Sequence, residues 1–308
     1  MPDFQQIEWD NQLESECLEL VRLALAEDLG GQQDWTTLAL VPADRQGTAS
    51  IVAREPGIAA GIMAIDLVLS EAKADVQAKK FIQDSQSFAA ETSLAKMSGN
   101  VGDILTLERI ILNLLGRLMG IASLTSRYVQ EVVGTRARIY DTRKTTPGWR
   151  RLEKYAVRCG GGSNHRTGLF DAVLIKDNHL AQREGRRIAT PQEAADAVLE
   201  VKRFLQSSNR ASSSNLTVEV EVDSLGQLAA VLPTLPDIVL LDNMSALQLR
   251  EAVQLRNELA PQVELEASGG VRLGRLREIA ETGVDRISVG ALTHSACNLD
   301  IGLDWEEP

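Results

Sequence analysis

Cysteine is scarce in this chain. Its 308 residues hold three, Cys17, Cys159 and Cys297, far apart and odd in number. They match neither a zinc-ligand spacing nor a disulfide framework, so a reduced, cytoplasmic setting is expected. Aromatic residues make up 4% of the chain, and 32 Lys and Arg stand against 43 Asp and Glu, a formal net charge of -11. Base stacking needs aromatic platforms and a phosphate backbone needs a broad basic face, so no nucleic-acid partner is expected. Long hydrophobic runs are also missing. The richest apolar stretch, "IILNLLGRLMGIASL", contains Asn113 and Arg117 and reads as a core helix, so no membrane span is expected. The opening "MPDFQQIEWDNQLESE" is acidic and polar, with neither a positive n-region nor an apolar h-region, and no signal peptide is expected. Neither a P-loop nor a GxGxxG fingerprint occurs.

What is present is strongly patterned. Residues 13–29 carry Leu13, Cys17, Leu20 and Ala24 at helical spacing, stopped by Gly30-Gly31. "GTASIVARE" and the segments around 77–107 alternate and read as antiparallel strands, with "GIAAGIMAIDLVLSEA" between them as a helix. A long helix over 107–133 places Ile110, Ile111, Leu114, Leu115, Leu118 and Met119 on one apolar face. From Arg138 the rhythm changes to six short apolar runs, "ARIYDTR", "AVLIKDN", "LTVEVEVDS", "DIVLLDN", "VELEASGG" and "DRISVGAL", each followed by a helical pattern. Such alternation implies a parallel sheet. An open doubly wound sheet would gather its polar residues at one switch point. Here polar residues end nearly every strand, which favours a (β/α) barrel. The expectation is an N-terminal α+β domain over 1–115, an α/β barrel over 116–292, and a segment 293–308 that could return to the N-terminal domain. The Ser/Asn-rich stretch 206–215 reads as a loop.

Charge is concentrated where the barrel begins. Residues 141–179 hold eight bases and four acids, although the chain as a whole is acidic. Arg143 and Lys144 follow the first of the six strands, His165 and Arg166 sit in a glycine-rich loop, and Lys176 ends the second strand. A local excess of this kind suits a pocket for a small, multiply charged anion. Arg150, Arg151, Lys154 and Arg158 fall in a helical pattern and read as a solvated face. In "TVEVEVD", period two sets Val218, Val220 and Val222 on one face and Glu219, Glu221 and Asp223 on the other. Carboxylates facing a barrel interior need partners, either basic neighbours or hydroxyls and Mg²⁺. Asp242 repeats the situation one strand later. Ser268-Gly269-Gly270 and Gly290-Ala291 lie between late strands and helices, where backbone N–H groups can approach a phosphate. His179 and His294 fit structural roles as well as functional ones.

Together "DTRKTTPGWR", "GGGSNHRTGLFDAVLIKDNH", "VEVEVDSL", "LLDNM", "EASGG" and "TGVDRISVGALTHSA" resemble the quinolinate phosphoribosyltransferase family, and the likeness extends into "LALAEDLG" and "ERIILNLLGRLMGIASLTSRYV". It covers most of residues 20–300. The resemblance implies an α/β protein, an open α+β sandwich joined to an incomplete (β/α) barrel. It also implies a homodimer or a higher oligomer of dimers. The implied reaction joins quinolinate to 5-phosphoribosyl-1-pyrophosphate (PRPP), releases pyrophosphate and CO2, and yields nicotinate mononucleotide for NAD synthesis. Carried over by position, Arg143, His165, Arg166 and Lys176 would hold quinolinate, joined by Arg109 from the neighbouring subunit. Lys144 with Thr142 would engage PRPP. Glu221 and Asp242 would hold the ribose hydroxyls and Mg²⁺, directly or through water, while Lys144, Lys176, Glu221 and Asp242 form the catalytic set. Ser268, Gly269, Gly270, Val289, Gly290, Ala291 and His294 would cradle the 5'-phosphate. No organic cofactor is implied. One departure is "EDLGGQQDWTT", where Trp35 fills a position the family gives to Ile or Val.

Two rival readings remain. A sister enzyme would accept nicotinate without decarboxylation, but five cations are many for one carboxylate. A catalytically silent phosphate-binding partner would be expected to lack Glu221, Asp242 or Lys176, and all three are present.

Overall fold

A computed structural model describes residues 3–184, 190–207 and 216–306. Most of the Ser/Asn-rich stretch 206–215 therefore lies outside the described residues. The early strands are β1 (Gln46–Ala53), β2 (Gly57–Ile58), β3 (Val76–Lys80), β4 (Ser87–Phe88) and β5 (Ser93–Asn100). The later ones are β6 (Arg138–Tyr140), β7 (Ala172–Ile175), β8 (Thr217–Val222), β9 (Ile238–Asp242), β10 (Glu264–Ser268), β11 (Arg286–Ser288) and β12 (Ile301–Trp305). They fall into two compact units that interleave along the chain.

The first unit holds residues 7–126, 144–162 and the chain from Leu292 on. Its antiparallel sheet runs β12-β1-β5-β3, with Ala49 opposite both Trp305 and Met97. Strand β1 buries Ala49, Ile51 and Ala53, the period-two face that its alternation predicts. The chain end thus supplies the edge strand of the N-terminal sheet. The segment 57–72, expected to be helical throughout, starts as β2, and its helix spans only Ala64–Ala72. Gly61 explains the delay. It adopts a left-handed backbone (φ 80°), and the Asp84 carboxylate takes the amides of Gly61 and Ile62, each at 3.0 Å. The long helix begins earlier than its apolar period suggests, spanning Val101–Val132. Asn100 Oδ1 accepts the amide of Asp103 at 3.1 Å and so caps it.

That helix carries Gly116 and Gly120 one turn apart. Leu299 N donates to Gly116 O at 2.8 Å, and a Cβ on Gly120 would lie 2.0 Å from Cys297 O. Two glycines on one helical face therefore admit the returning backbone. The helix Arg150–Cys159 corrects another expectation. Lys154 is fully buried and Arg151 pairs with Asp10 and Glu16, so this is no solvated face. Its Glu153 is also fully buried and accepts from Arg117, Thr146 N and Thr146 Oγ1.

The second unit holds the chain start up to Gln6 together with residues 127–143 and 163–291. Its sheet order is β6-β11-β10-β9-β8-β7, and every pair is parallel. All six expected strands are present. They are buried almost residue by residue, as a parallel sheet covered on both faces must be. With β6 and β7 at the two ends of that order, the barrel is incomplete. The division between the units falls within the Val101–Val132 helix, at 126/127. The chain start belongs with the barrel strands, because its side chains satisfy polar groups on β6 and β11. Asp3 accepts from Arg286 Nη1 at 3.0 Å, Arg138 Nη1 at 3.1 Å and Tyr140 Oη at 3.1 Å. Phe4 is buried against Tyr140, Ala172 and Ile238.

Gly120→Ala is expected to destabilise the protein by about 1–3 kcal/mol, since the added methyl meets backbone. Gly274→Ala, whose Cβ would meet nothing within 4 Å, should stabilise the Leu273–Ala280 helix by up to about 1 kcal/mol. Urea unfolding midpoints of the two variants check the contrast.

Candidate active site

The residues of interest in the barrel unit share one end of its sheet. Thr142 and Arg143 follow β6, Lys176 follows β7, Glu221 sits near the end of β8, and Asp242 and Ser268 close β9 and β10. Ser268 pairs in register with Asp242, and Ser288 with Tyr140, so the strand ends are level. Gly269, Gly270, Val289, Gly290 and Ala291 follow in the last two loops. Gly269 has φ 92° and no room for a side chain, because a Cβ there would lie 2.3 Å from Asn243 Oδ1. Glycine is required here because the backbone packs directly against Asn243.

The cations are set by local geometry. Asp141 is fully buried and accepts His165 N at 2.8 Å and Asn164 Nδ2 at 2.7 Å, which ties the glycine-rich loop to the end of β6. Arg166 is also buried and donates through Nη1 to Ala172 O at 3.1 Å. Burial, and then the like charge of Arg143, pull its proton affinity below the ordinary arginine value. The Nε of Arg143 is buried without a hydrogen-bond partner among the described residues. Two guanidiniums that disfavour each other form a place for an anion. Lys176 Nζ stands 3.0 Å from Glu221 Oε2, and its amide donates to His179 Nδ1 at 3.0 Å, so His179 shapes the turn that presents Lys176. Asp242 accepts from Asn243 Nδ2 at 2.8 Å.

Deeper in the barrel, His165 Nε2 lies 3.1 Å from Glu219 Oε2 and 3.5 Å from Glu266 Oε1, all three side chains being buried. The Phe4 ring stacks on the imidazole with centroids 4.3 Å apart. Burial opposes charge on this ring, but the two carboxylates outweigh it and push its pKa up to about 10. Burial and Glu266 raise Glu219, while His165 and Ser288 hold Glu266 below its ordinary value despite burial. The Arg166 amide already points at Nδ1 from 2.8 Å, so the proton that this cluster retains lies along the edge between Nε2 and the carboxylates.

Arg109, Lys144 and His294 belong to the other unit. Arg109 has a 66% exposed side chain, with Glu108 3.8 Å away. Lys144 O accepts from Thr293 Oγ1 at 2.8 Å, and His294 Nδ1 lies 2.7 Å from Ser295 Oγ. Sequence reasoning passed over Glu266, Asp141 and Phe4. Glu266 carried a signal, because "VELEAS" alternates as "TVEVEVD" does, whereas nothing near Phe4 marks it.

Residues 121–304 match the model of the quinolinate phosphoribosyl transferase C-terminal domain, and residues 34–119 that of its N-terminal domain. The chain belongs to the quinolinate phosphoribosyltransferase family. It is 45% identical over 286 residues to a nicotinate-nucleotide pyrophosphorylase [carboxylating] of Mycobacterium leprae, covering 92% of this chain and 95% of that protein. It is 38% identical to a probable enzyme of the same name from Synechocystis, over 91% of this chain and 89% of the relative. The solved nicotinate-nucleotide pyrophosphorylase of Francisella tularensis superposes with TM-score 0.86 at 36% identity, covering 99% of this chain and 100% of that one. Human nicotinic acid phosphoribosyltransferase, at 12% identity and TM-score 0.55, shares the fold alone. The family's open sandwich and incomplete barrel are the two units described above.

The proton shared between His165 Nε2 and the two carboxylates is held up to about pH 10, against 6.5 for a free histidine. Its contribution to stability is therefore complete below about pH 6.5, declines as the pH rises, and is gone above about pH 10. Melting temperatures from pH 6 to 10 should fall for the native chain and fall less for His165→Asn.

Proposed function

We propose that this protein transfers the phosphoribosyl group of PRPP to the ring nitrogen of quinolinate and releases pyrophosphate and CO2. The product is nicotinate mononucleotide. Family membership supports the reaction class, and the paired guanidiniums of Arg143 and Arg166 carry the choice of a dicarboxylate acceptor. Two such groups, neither paired with a carboxylate among the described residues, with Lys176 at the end of β7, suit two carboxylates better than one. Holding the ring in line with the ribosyl carbon is a positioning task, which bidentate guanidinium contacts perform. Glu221 and Asp242 offer oxygens for the ribose hydroxyls, and their charge stabilises a cation-like ribosyl carbon as pyrophosphate departs. After the C–N bond forms, the positive ring nitrogen stabilises the electron pair left on the adjoining ring carbon as CO2 departs, and a proton from water completes that carbon, so no nucleophilic side chain and no organic cofactor is drawn upon.

Mg²⁺ fits the same two acids. Hard oxygen donors at adjacent strand ends suit an ion that is held by one or two carboxylates together with substrate phosphates. When bound, it offsets the charge growing on the leaving pyrophosphate. Thr142 engages the PRPP phosphates, and the loops of Ser268–Gly270 and Val289–Ala291 take the 5'-phosphate. Arg109 reaches the site of the neighbouring subunit in a homodimer, or in a larger oligomer of such dimers. Its exposure and the 3.8 Å separation from Glu108 support that role. The free thiols of Cys17, Cys159 and Cys297 suit a cytoplasmic setting. Among the described residues no helix is long and apolar enough to cross a membrane.

Mass spectrometry of the protein with PRPP and Mg²⁺, offered quinolinate or nicotinate separately, tests the reading. Nicotinate mononucleotide from quinolinate alone, with CO2 released, is expected. Turnover of nicotinate would make this the sister activity. Arg166→Ala should raise KM for quinolinate by roughly 100-fold and KM for PRPP by far less. Mixing inactive Arg109→Ala and Lys176→Ala subunits should recover part of the activity if the site is shared. No recovery in demonstrated mixed dimers would remove Arg109 from the neighbouring site.

A further inference from the structure

His165 occupies an unusual place for a residue expected to touch quinolinate. Its side chain is 7% exposed, and both ring nitrogens are engaged. Nε2 faces Glu219 and Glu266, towards the middle of β8 and β10 and away from the strand ends where Lys176, Asp242 and Ser268 lie. Nδ1 accepts the backbone N–H of Arg166. Phe4 covers one face of the ring, and Gln6 clamps the preceding residue, with its Oε1 accepting Asn164 N at 2.7 Å and its Nε2 donating to Asn164 O at 3.2 Å.

We infer that His165 is a positioning residue and not a quinolinate ligand: clamped by Phe4, Glu219 and Glu266, it aims Arg166 through the Arg166 amide at its Nδ1. The chain start is part of the device. Phe4 and Gln6 fix the ring and the residue before it from the barrel's opposite end, and Arg166 receives the result. The inference rests on reading Arg166 as a quinolinate ligand. A metal ion is not the occupant that this cluster is built for. An ion on Nε2 would leave the ring proton on Nδ1, where the Arg166 amide already points, whereas ligating histidines donate from that nitrogen. The cluster also separates charges. With Glu219 and Glu266 facing the imidazole, neither carboxylate is hydrogen-bonded to Arg166.

Two substitutions separate the roles of the two nitrogens. Asparagine sets an amide oxygen where Nδ1 stood, and glutamine reaches only the position of Nε2. In assays with quinolinate and PRPP, His165→Asn should keep KM for quinolinate within roughly 5-fold of native, and His165→Gln should raise it by roughly 50-fold. Phe4→Leu, which keeps an apolar plug but removes the stack, should raise the same KM by roughly 5-fold with kcat and KM for PRPP little changed. PRPP binding measured by calorimetry reports whether each variant is folded. A better KM for His165→Gln than for His165→Asn would overturn the inference in favour of a direct ligand through Nε2. Equal loss of PRPP and quinolinate binding in both His165 variants, with Phe4→Leu unaffected, would overturn it in favour of a purely structural residue. Absence of quinolinate turnover by the native protein would instead remove the functional reading, and the inference with it.

Discussion

Glu219 and Glu266 place two carboxylates inside a barrel where water does not reach, and the surrounding structure is arranged to answer them. An uncompensated buried charge costs several kcal/mol. The answer here is one imidazole between both acids, a retained proton, and the positive field of Arg286. Each compensating group needs support of its own. Arg286 leans on Asp3 and Glu264 and packs over the rings of Phe4 and Tyr140. His165 leans on Phe4 and on the Arg166 amide. The N-terminal residues, distant in sequence from every strand of the barrel, are thereby recruited to its interior.

The same constraint orders the open end. Glu221 is answered by Lys176, and Asp141 by Asn164 and the His165 amide. With these acids satisfied, Arg143 and Arg166 remain as cations held close together by backbone and packing and not by carboxylates. Their mutual repulsion is fixed when the protein folds, and the dianionic ligand proposed above would relieve it on binding. An arrangement of this kind is preorganised, because the positive charges need no rearrangement when the ligand arrives.

Much of this was legible from the residues. The six barrel strands stood out because parallel strands buried on both faces read as short apolar runs with polar ends, and their ends name Lys176, Glu221, Asp242 and Ser268. The facing of Glu219 and Glu221 followed from period two. What escaped notice depends on contacts distant in sequence. No local pattern distinguishes Asp3, Phe4 and Gln6 from an acidic leader, since their partners lie more than 130 residues away. Lys154 looked solvated because its helix is rich in bases, but the fold buries that face. The early start of the Val101–Val132 helix rests on one Asn100 cap, and the late start of the helix at Ala64 on the turn at Gly61. Both were present as letters and ambiguous as signals.

The placement of His165 also bears on how an acid-lined interior could coexist with the proposed pocket for acids. Were Glu219 free to reach Arg166, the guanidinium would find its counter-ion within the protein, and the pocket would lose part of its attraction for carboxylates. Burial makes such an internal pair costly to open once formed. An imidazole that is stacked on one face and held at both nitrogens is stiff, and it occupies the carboxylates without neutralising the guanidinium. The Arg166 guanidinium instead donates to the Ala172 carbonyl, which carries no net charge. In that way the barrel interior is balanced internally, and the positive charge at its open end is left for a ligand to balance.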